Sequence, residues 1–396
     1  MENICYFCTV KRFISLLKLS LLVILFNLTG TASAFEQQGD TMRNDSWIDS
    51  VEVSLLTCGP SSEIYSLYGH TALRVQDPKH HADWAVNWGI FDTRERFFAL
   101  RFVFGLTDYK VAVYPMEEML AEYAAEGRWM KEQYVRLSRA EKKRLLAALE
   151  ENLRPENARY RYNYFYDNCT TRPRDMIINS LIHNDYPATT PTLTTYRKEI
   201  HKWNEHYRWA RMGKDLLLGV KSDMPLNSKE AEFLPDNLRQ TFDKWSRVYG
   251  THYLLRPQAE ITQDSWFTPT VCAVILTLII IGFTIIGHFR RWSLLWLDST
   301  LLILIGLPGI ILFAMLFSRH PTVSCNLQIF LLNPLALWGA FLLHRKKWRR
   351  KVTWVWLACI LICILGSIWQ RYAEGILLLA FALLVRCVDR LRHDDE

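Results

Sequence analysis

The character of the chain changes near residue 267. From there to the C-terminus, apolar stretches alternate with short charged loops, and a chain in hydrocarbon must close its backbone hydrogen bonds inside helices or barrels. Five membrane spans are expected, near 267–288, 294–317, 327–344, 352–369 and 373–388. The loops set their direction. "HFRRW", "HRKKWRRK" and "RCVDRLRH" are strongly basic, whereas "SRHPTVSCN" and "QRYAEG" are not. Basic loops stay on the cytoplasmic side, so residues 35–266 are expected on the other. The N-terminus gives the same answer: Lys11 and Arg12, an apolar run over 13–28 and the small residues "TASA" ending at Ala34 follow the order of a secretory signal. The expected domains are therefore a signal peptide at 1–34, an exported domain at 35–266 and a transmembrane domain at 267–396. An uncleaved N-terminal anchor is the alternative to cleavage after Ala34.

The overall charge of +7 then belongs to membrane topology. Basic stripes with interleaved aromatics are missing from the sequence, which argues against a nucleic-acid partner. Of nine cysteines, Cys5 and Cys8 would leave with the signal, and Cys272, Cys325, Cys359, Cys363 and Cys387 lie in or beside spans. The exported domain keeps Cys58 and Cys169, and one disulfide between them is a reading that an oxidising compartment invites.

Within that domain, "VEVSL" alternates like a strand, and "GHTALRV" and "DWAVNWG" flank the loop "QDPKHHA" as a hairpin. A turn centred between Pro78 and Lys79 pairs Arg74 with Asp83, Ala72 with Ala85 and His70 with Asn87. A shift of two residues keeps the same faces, so His70 and Asn87 share a face in either register. Ser138 followed by Glu141 opens a helix that ends near Pro155 with a capping box. Residues 188–266, rich in Pro, Trp, Tyr and Arg, show no clean period and are expected to wrap the domain or lie against the bilayer.

"NYFYDNCTTRPRD" carries the chemistry. Proline is tolerated in the first turn of a helix and disrupts its interior, so the helix containing Pro173 must begin near Thr170 or Thr171. Cys169 is thereby placed at a helix start, where the dipole and unpaired amides favour thiolate. Those amides are also expected to stabilise an oxyanion. Tyr162, Tyr164 and Tyr166 alternate into the turn as an expected strand. A cysteine nucleophile needs a base and a group that orients it. His70, with Asn87 beside it, fits better than His80 or His81 in a polar loop, or His183, His201 and His206 without a companion strand. Arg172, Asn168 and Tyr164 are candidates for binding substrate, although Arg172, Arg174 and Asp175 read equally as helix-terminal ion pairs. In the membrane part, Asp298 in the second span, His320 and Asn326 in the outward loop and Asn333 in the third span either line a path or pair between helices, pairing being the commoner use.

"LLTCGPSSEIYSLYGHTALRV", "VNWGIFD" and "YNYFYDNCTTRPRD", in this order and followed by "SRHPTVSCNLQIFLLNPLAL", resemble the Lnb-type lipoprotein N-acyltransferases of Gram-negative envelopes. The resemblance implies an α+β exported domain, an antiparallel sheet plus helices of circularly permuted papain-like type with histidine preceding cysteine. An all-α five-helix transmembrane domain would follow it. It implies Cys169 as nucleophile and His70 as base; Asn87 as the third member comes from the hairpin alone. The implied reaction moves an acyl chain from a membrane phospholipid, through a Cys169 thioester, to the α-amino group of diacylglyceryl-cysteine on a lipoprotein. It needs no cofactor and no metal, and the implied location is the cytoplasmic (inner) membrane with the catalytic domain on its periplasmic side. The family's asparagine-rich stretch is shorter here, around Asn326. Two other readings use the same residues: a membrane-anchored papain-like cell-wall amidase or peptidase, and a non-catalytic scaffold holding a Cys58–Cys169 disulfide.

Overall fold

A computed structural model describes residues 47–61, 63–92, 94–257 and 266–393. The expected signal at 1–34 lies outside the described residues.

The alternation read from the sequence becomes a seven-stranded antiparallel sheet. Its strands are β1 (Glu52–Cys58), β2 (His70–Asp77), β3 (Ala82–Ile90), β4 (Asp108–Pro115), β5 (Met130–Val135), β6 (Arg159–Arg161) and β9 (Val248–Leu255), in the order β6-β4-β3-β2-β1-β5-β9. Two short strands, β7 (Pro191–Thr195) and β8 (Pro225–Asn227), pair separately. Apolar residues at alternate positions supply both faces of the large sheet. Leu55, Leu73, Val86 and Trp88 pack with Leu145, Ile177, Leu238 and Phe242 from three helices. On the other face Leu56, Ala72 and Ala85 meet Met116 and Met119. One of the three helices, α1 (Arg139–Leu153), has the expected capping box: Ser138 Oγ accepts from Glu141 N, and Glu141 Oε2 accepts from Ser138 N.

The β2–β3 register differs from the expected one by two residues: Ala72 faces Asn87 and Asp77 faces Ala82. The turn is centred one residue later because Asp77 organises it, accepting from Lys79 N at 3.2 Å and pairing with the His80 ring, with His81 at φ 52° closing the loop. The period of two keeps every face as expected. The tyrosine alternation after β6 is not a strand. Asn163 Oδ1 accepts from Phe165 N, and Asn163 and Asp167 exchange backbone bonds, so an Asx turn overrides the alternation. Residues 188–266 supply several short helices, the β7–β8 pair and the edge strand β9.

Beyond the sheet domain, α2 (Pro269–Arg290) and α3 (Leu295–Met315) are the two helices among the described residues that are long and apolar enough to cross a membrane. The expected third span is broken into a 3₁₀ turn at Leu327–Phe330 and an eight-residue helix at Leu335–Leu342. Asn333 and Pro334 interrupt it, Asn333 Oδ1 taking the Leu335 amide that starts the second piece. Two further helices, Lys346–Gly366 and Ile376–His393, carry their charges at one end.

A polar seam joins this bundle to the sheet domain. Asn326 Nδ2 donates to Leu216 O, Gln370 Nε2 donates to Leu218 O and Asn326 Oδ1, and Gly219 N donates to Thr322 O. At a second contact, Ser318 Oγ and the His320 ring bond the carbonyls of Val103 and Phe102. The four polar residues singled out in the membrane part are thus all bonded within the protein, Asp298 through two arginines.

Candidate active site

Three local devices bring the site together. The first is the start of β2. Gly69 holds φ 78°, and a Cβ there would lie 2.5 Å from the Cys58 carbonyl, so glycine lets the chain enter β2 tightly against β1. His70 follows at once and faces Cys58 across the ladder.

The second is the turn before the helix Thr171–Ser180. Asn168 is buried and fully used: Oδ1 accepts the amides of Thr170 and Thr171, and Nδ2 donates to the carbonyls of Tyr164 and Phe233. Cys169 is fixed between this cap and the helix, and Thr170 Oγ1 lies 4.0 Å from its sulfur. Thr71 Oγ1 donates to Thr170 Oγ1 at 3.2 Å, tying the turn to β2.

The third is β3, which carries Asn87 under the imidazole. His70 Nε2 and Asn87 Oδ1 are 3.0 Å apart, which assigns the proton to Nε2 and leaves Nδ1 for the sulfur. The two-residue shift in register therefore preserves the expected neighbours.

Electrostatics couples them. Burial by itself raises the Cys169 thiol, but the His70 charge, its hydrogen bond and the Thr71 amide bring it below its ordinary value. Burial likewise lowers His70, and the cysteine sulfur and Asn87 more than offset it, holding the ring above its ordinary value. Both directions favour a thiolate–imidazolium pair. Cys58 is different: burial pushes its thiol up to about 12, and it is an inert core group. Both cysteines are free thiols, contrary to the disulfide reading.

The candidates for binding substrate separate. Asn168 has no group left to offer, so its contacts place it beneath the reacting residue rather than against substrate. Arg172 is held by both oxygens of Asp167 at 2.6 and 2.8 Å, and its guanidinium lies 3.5 Å from the Tyr160 ring centroid. Tyr164 packs edge-on against Tyr68, Phe165 and Phe233 in an apolar cluster that also contains Met315 and Val323 from the membrane part. Arg174 pairs with Asp175 and Glu232, which bears out the ion-pair reading. The expected oxyanion amides are also taken, because Thr170 and Thr171 donate to Asn168 Oδ1 and Arg172 N donates to Asn168 O. What sequence reasoning missed is Tyr160 and the aromatic wall. Tyr109 stacks on Tyr162 at 4.1 Å, Phe102 is 6.3 Å from Tyr162, and His320 is 6.1 Å from Phe102. The run of aromatics before Cys169 was the available signal, masked by its strand-like alternation.

The comparisons with known proteins agree with this division of the chain. Residues 38–199 match the family model described as the Lnb N-terminal periplasmic domain, and residues 261–394 match the Lnb transmembrane domain. Comparison with curated proteins and with solved structures gives no match. The two matches are consecutive parts of one family and together cover well over half of the 396 residues. With a periplasmic domain followed by a transmembrane domain, the chain belongs to the Lnb family, whose type is the lipoprotein N-acyltransferase.

Proposed function

We propose that this protein transfers an acyl chain from a membrane phospholipid to the free α-amino group of a diacylglyceryl-cysteine at a lipoprotein N-terminus, with a thioester on Cys169 between the two half-reactions. The observation that carries the reading is the Cys169–His70–Asn87 arrangement, close in the chain to an apolar cluster that takes in Met315 at the end of a membrane helix. The Cys169 thiolate attacks the glycerol ester, and His70 gives its proton to the departing glycerol oxygen. His70 then takes a proton from the attacking amine as the acyl group leaves sulfur. Asn87 keeps the ring turned toward the sulfur. Histidine before cysteine in the chain accords with a circularly permuted papain-like arrangement. A phospholipid and a diacylated lipoprotein are both held in the bilayer, which gives the membrane part a role in presenting two lipids to one thiol. On this reading the protein is a multi-pass protein of the cytoplasmic membrane, with residues 35–266 on the periplasmic side.

The test is mass spectrometry of a diacylated lipopeptide incubated with the purified protein and phospholipid vesicles. A third acyl chain on the N-terminal amine, lost in Cys169→Ala, supports the reading. Hydrolysis of cell-wall peptide with no change in the lipopeptide would replace it with the amidase or peptidase reading.

A further inference from the structure

An ester under attack by sulfur places negative charge on the carbonyl oxygen, and the site needs a donor for it. The first turn of the helix after Cys169 does not supply it. Its amides at Thr170, Thr171 and Arg172 are committed to Asn168, and Pro173 has none.

A hydroxyl stands nearby instead. Tyr160 is 7% exposed, and its Oη has no hydrogen-bond partner. Burying such a group without a partner costs about 1–3 kcal/mol, a cost that a substrate oxygen accepting its hydrogen would relieve. Gly89 tells where the hydroxyl stands. It holds φ 91°, and the point where a Cβ would sit is 3.3 Å from Cys169 Cβ and 4.0 Å from Tyr160 Oη. Glycine lets β3 pass close to the cysteine, and the phenol oxygen is near the same point. The Arg172 guanidinium on the Tyr160 ring draws electron density from it and strengthens the O–H as a donor. Burial, and then the charge on Cys169, raise the phenol's pKa, so the proton stays on oxygen. Tyr109 and Tyr162, stacked on one another, belong to the aromatic wall.

We propose that Tyr160 is a catalytic residue, its hydroxyl donating to the carbonyl oxygen of the acyl group as that group meets Cys169 beside Gly89. The inference rests on the acyl-thioester reading of Cys169. As the carbon–sulfur bond forms, the carbonyl π pair moves to oxygen and is held by the Tyr160 O–H. When the pair returns, the bond from carbon to the glycerol oxygen breaks, and His70 protonates that oxygen. The phenol keeps its proton throughout and serves again when the amine attacks the thioester.

The experiment compares the full-length protein with Tyr160→Phe, using phospholipid vesicles and, separately, a p-nitrophenyl acyl ester. Acyl-Cys169 formation is expected to slow about 10²–10³-fold in both. Alkylation of Cys169 by iodoacetamide should be unchanged, because the thiolate is untouched, and the melting temperature should be equal or higher, because an unpartnered hydroxyl has been removed. A rate within about twofold of the parent, or a lower melting temperature, would overturn the proposal. If the parent forms no adduct from phospholipid, the acyltransferase reading falls while the activated ester still reads the hydroxyl. A parent acylated by neither donor overturns both.

Discussion

Two buried polar clusters in this molecule are built to opposite rules. In the membrane part, Asp298 is 1% exposed and receives Arg386 Nε at 2.8 Å and Arg390 Nη1 at 3.0 Å. Arg386 also meets Asp389 at 2.6 Å, and Asp389 meets His288 at 2.9 Å. Cation answers anion throughout, as it must where water cannot. At the candidate site, His70 is satisfied on one nitrogen by Asn87, Cys169 is half-buried, and Tyr160 keeps an unpaired hydroxyl near Gly89, where β3 passes close to the cysteine. A cluster of paired charges fixes helices against each other, whereas a neutral hydroxyl left unpaired near a thiol is available to reacting atoms.

The largest expected effect breaks the cluster at the candidate site. Cys169→Ala should reduce acyl transfer at least about 10⁴-fold with the protein still folded and inserted, and His70→Ala should be nearly as damaging. Quantitative mass spectrometry of the lipopeptide product checks both. Full activity in the alanine variant would remove the covalent mechanism.

Breaking the charge-paired cluster should give the reverse signature. Asp298→Ala leaves two buried arginines without their shared carboxylate and is expected to destabilise the protein by about 3–5 kcal/mol, read as a lower melting temperature in detergent. The acylation rate per folded molecule should hold. A lost rate with unchanged stability would make Asp298 part of the chemistry and end the comparison.

Asn87→Ala sharpens it at a smaller scale, with an expected loss of about 10–100-fold in kcat, since an orienting group contributes less than the base. It should also move the pH profile. The thiolate side appears as pH rises through the lowered Cys169 value, and the imidazolium is lost as pH rises through the raised His70 value. Because the Asn87 bond is among the causes that raise His70, its removal should shift the alkaline limb of the acylation rate to lower pH. The same signs apply to stability: the His70 contribution fades as pH rises through its folded value, and the Cys169 contribution fades as pH falls through its own. An alkaline limb that stays in place would show that Asn87 does not act on the ring.

The smallest change is Ser138→Ala, which removes one half of a capping box far from the thiol. It should cost about 1 kcal/mol in chemical denaturation and leave activity alone.

Cys169, His70 and Asn87 were legible in the sequence because each depends on a local rule: a proline that dates the helix start, and a period of two that keeps two strand residues on one face whichever register forms. Tyr160 was not legible. Its role follows from an unpartnered oxygen and from the approach of Gly89 to both Cys169 and the phenol, and neither is a property of a residue type or a spacing. Asn168 was singled out for the right neighbourhood and the wrong contact, since only the folded turn shows its amide spent on four backbone groups. The third membrane segment was read as continuous because hydropathy averages over Asn333 and Pro334, while the backbone leaves the helix between Phe330 and Leu335.

By itself the sequence determined that a sheet-forming domain precedes an apolar helical one, and that a cysteine lies at the start of a helix. These are sums over many residues or constraints within one turn, and they survive errors of register. The tertiary structure alone decided which charges meet a counter-charge and which hydroxyl near the thiol stays unpaired, and that the aromatic wall ends at His320. Those outcomes depend on ångström distances between residues remote in the chain, such as Gly89 to Cys169 and Phe102 to His320, and packing fixes such distances only when the whole core has formed.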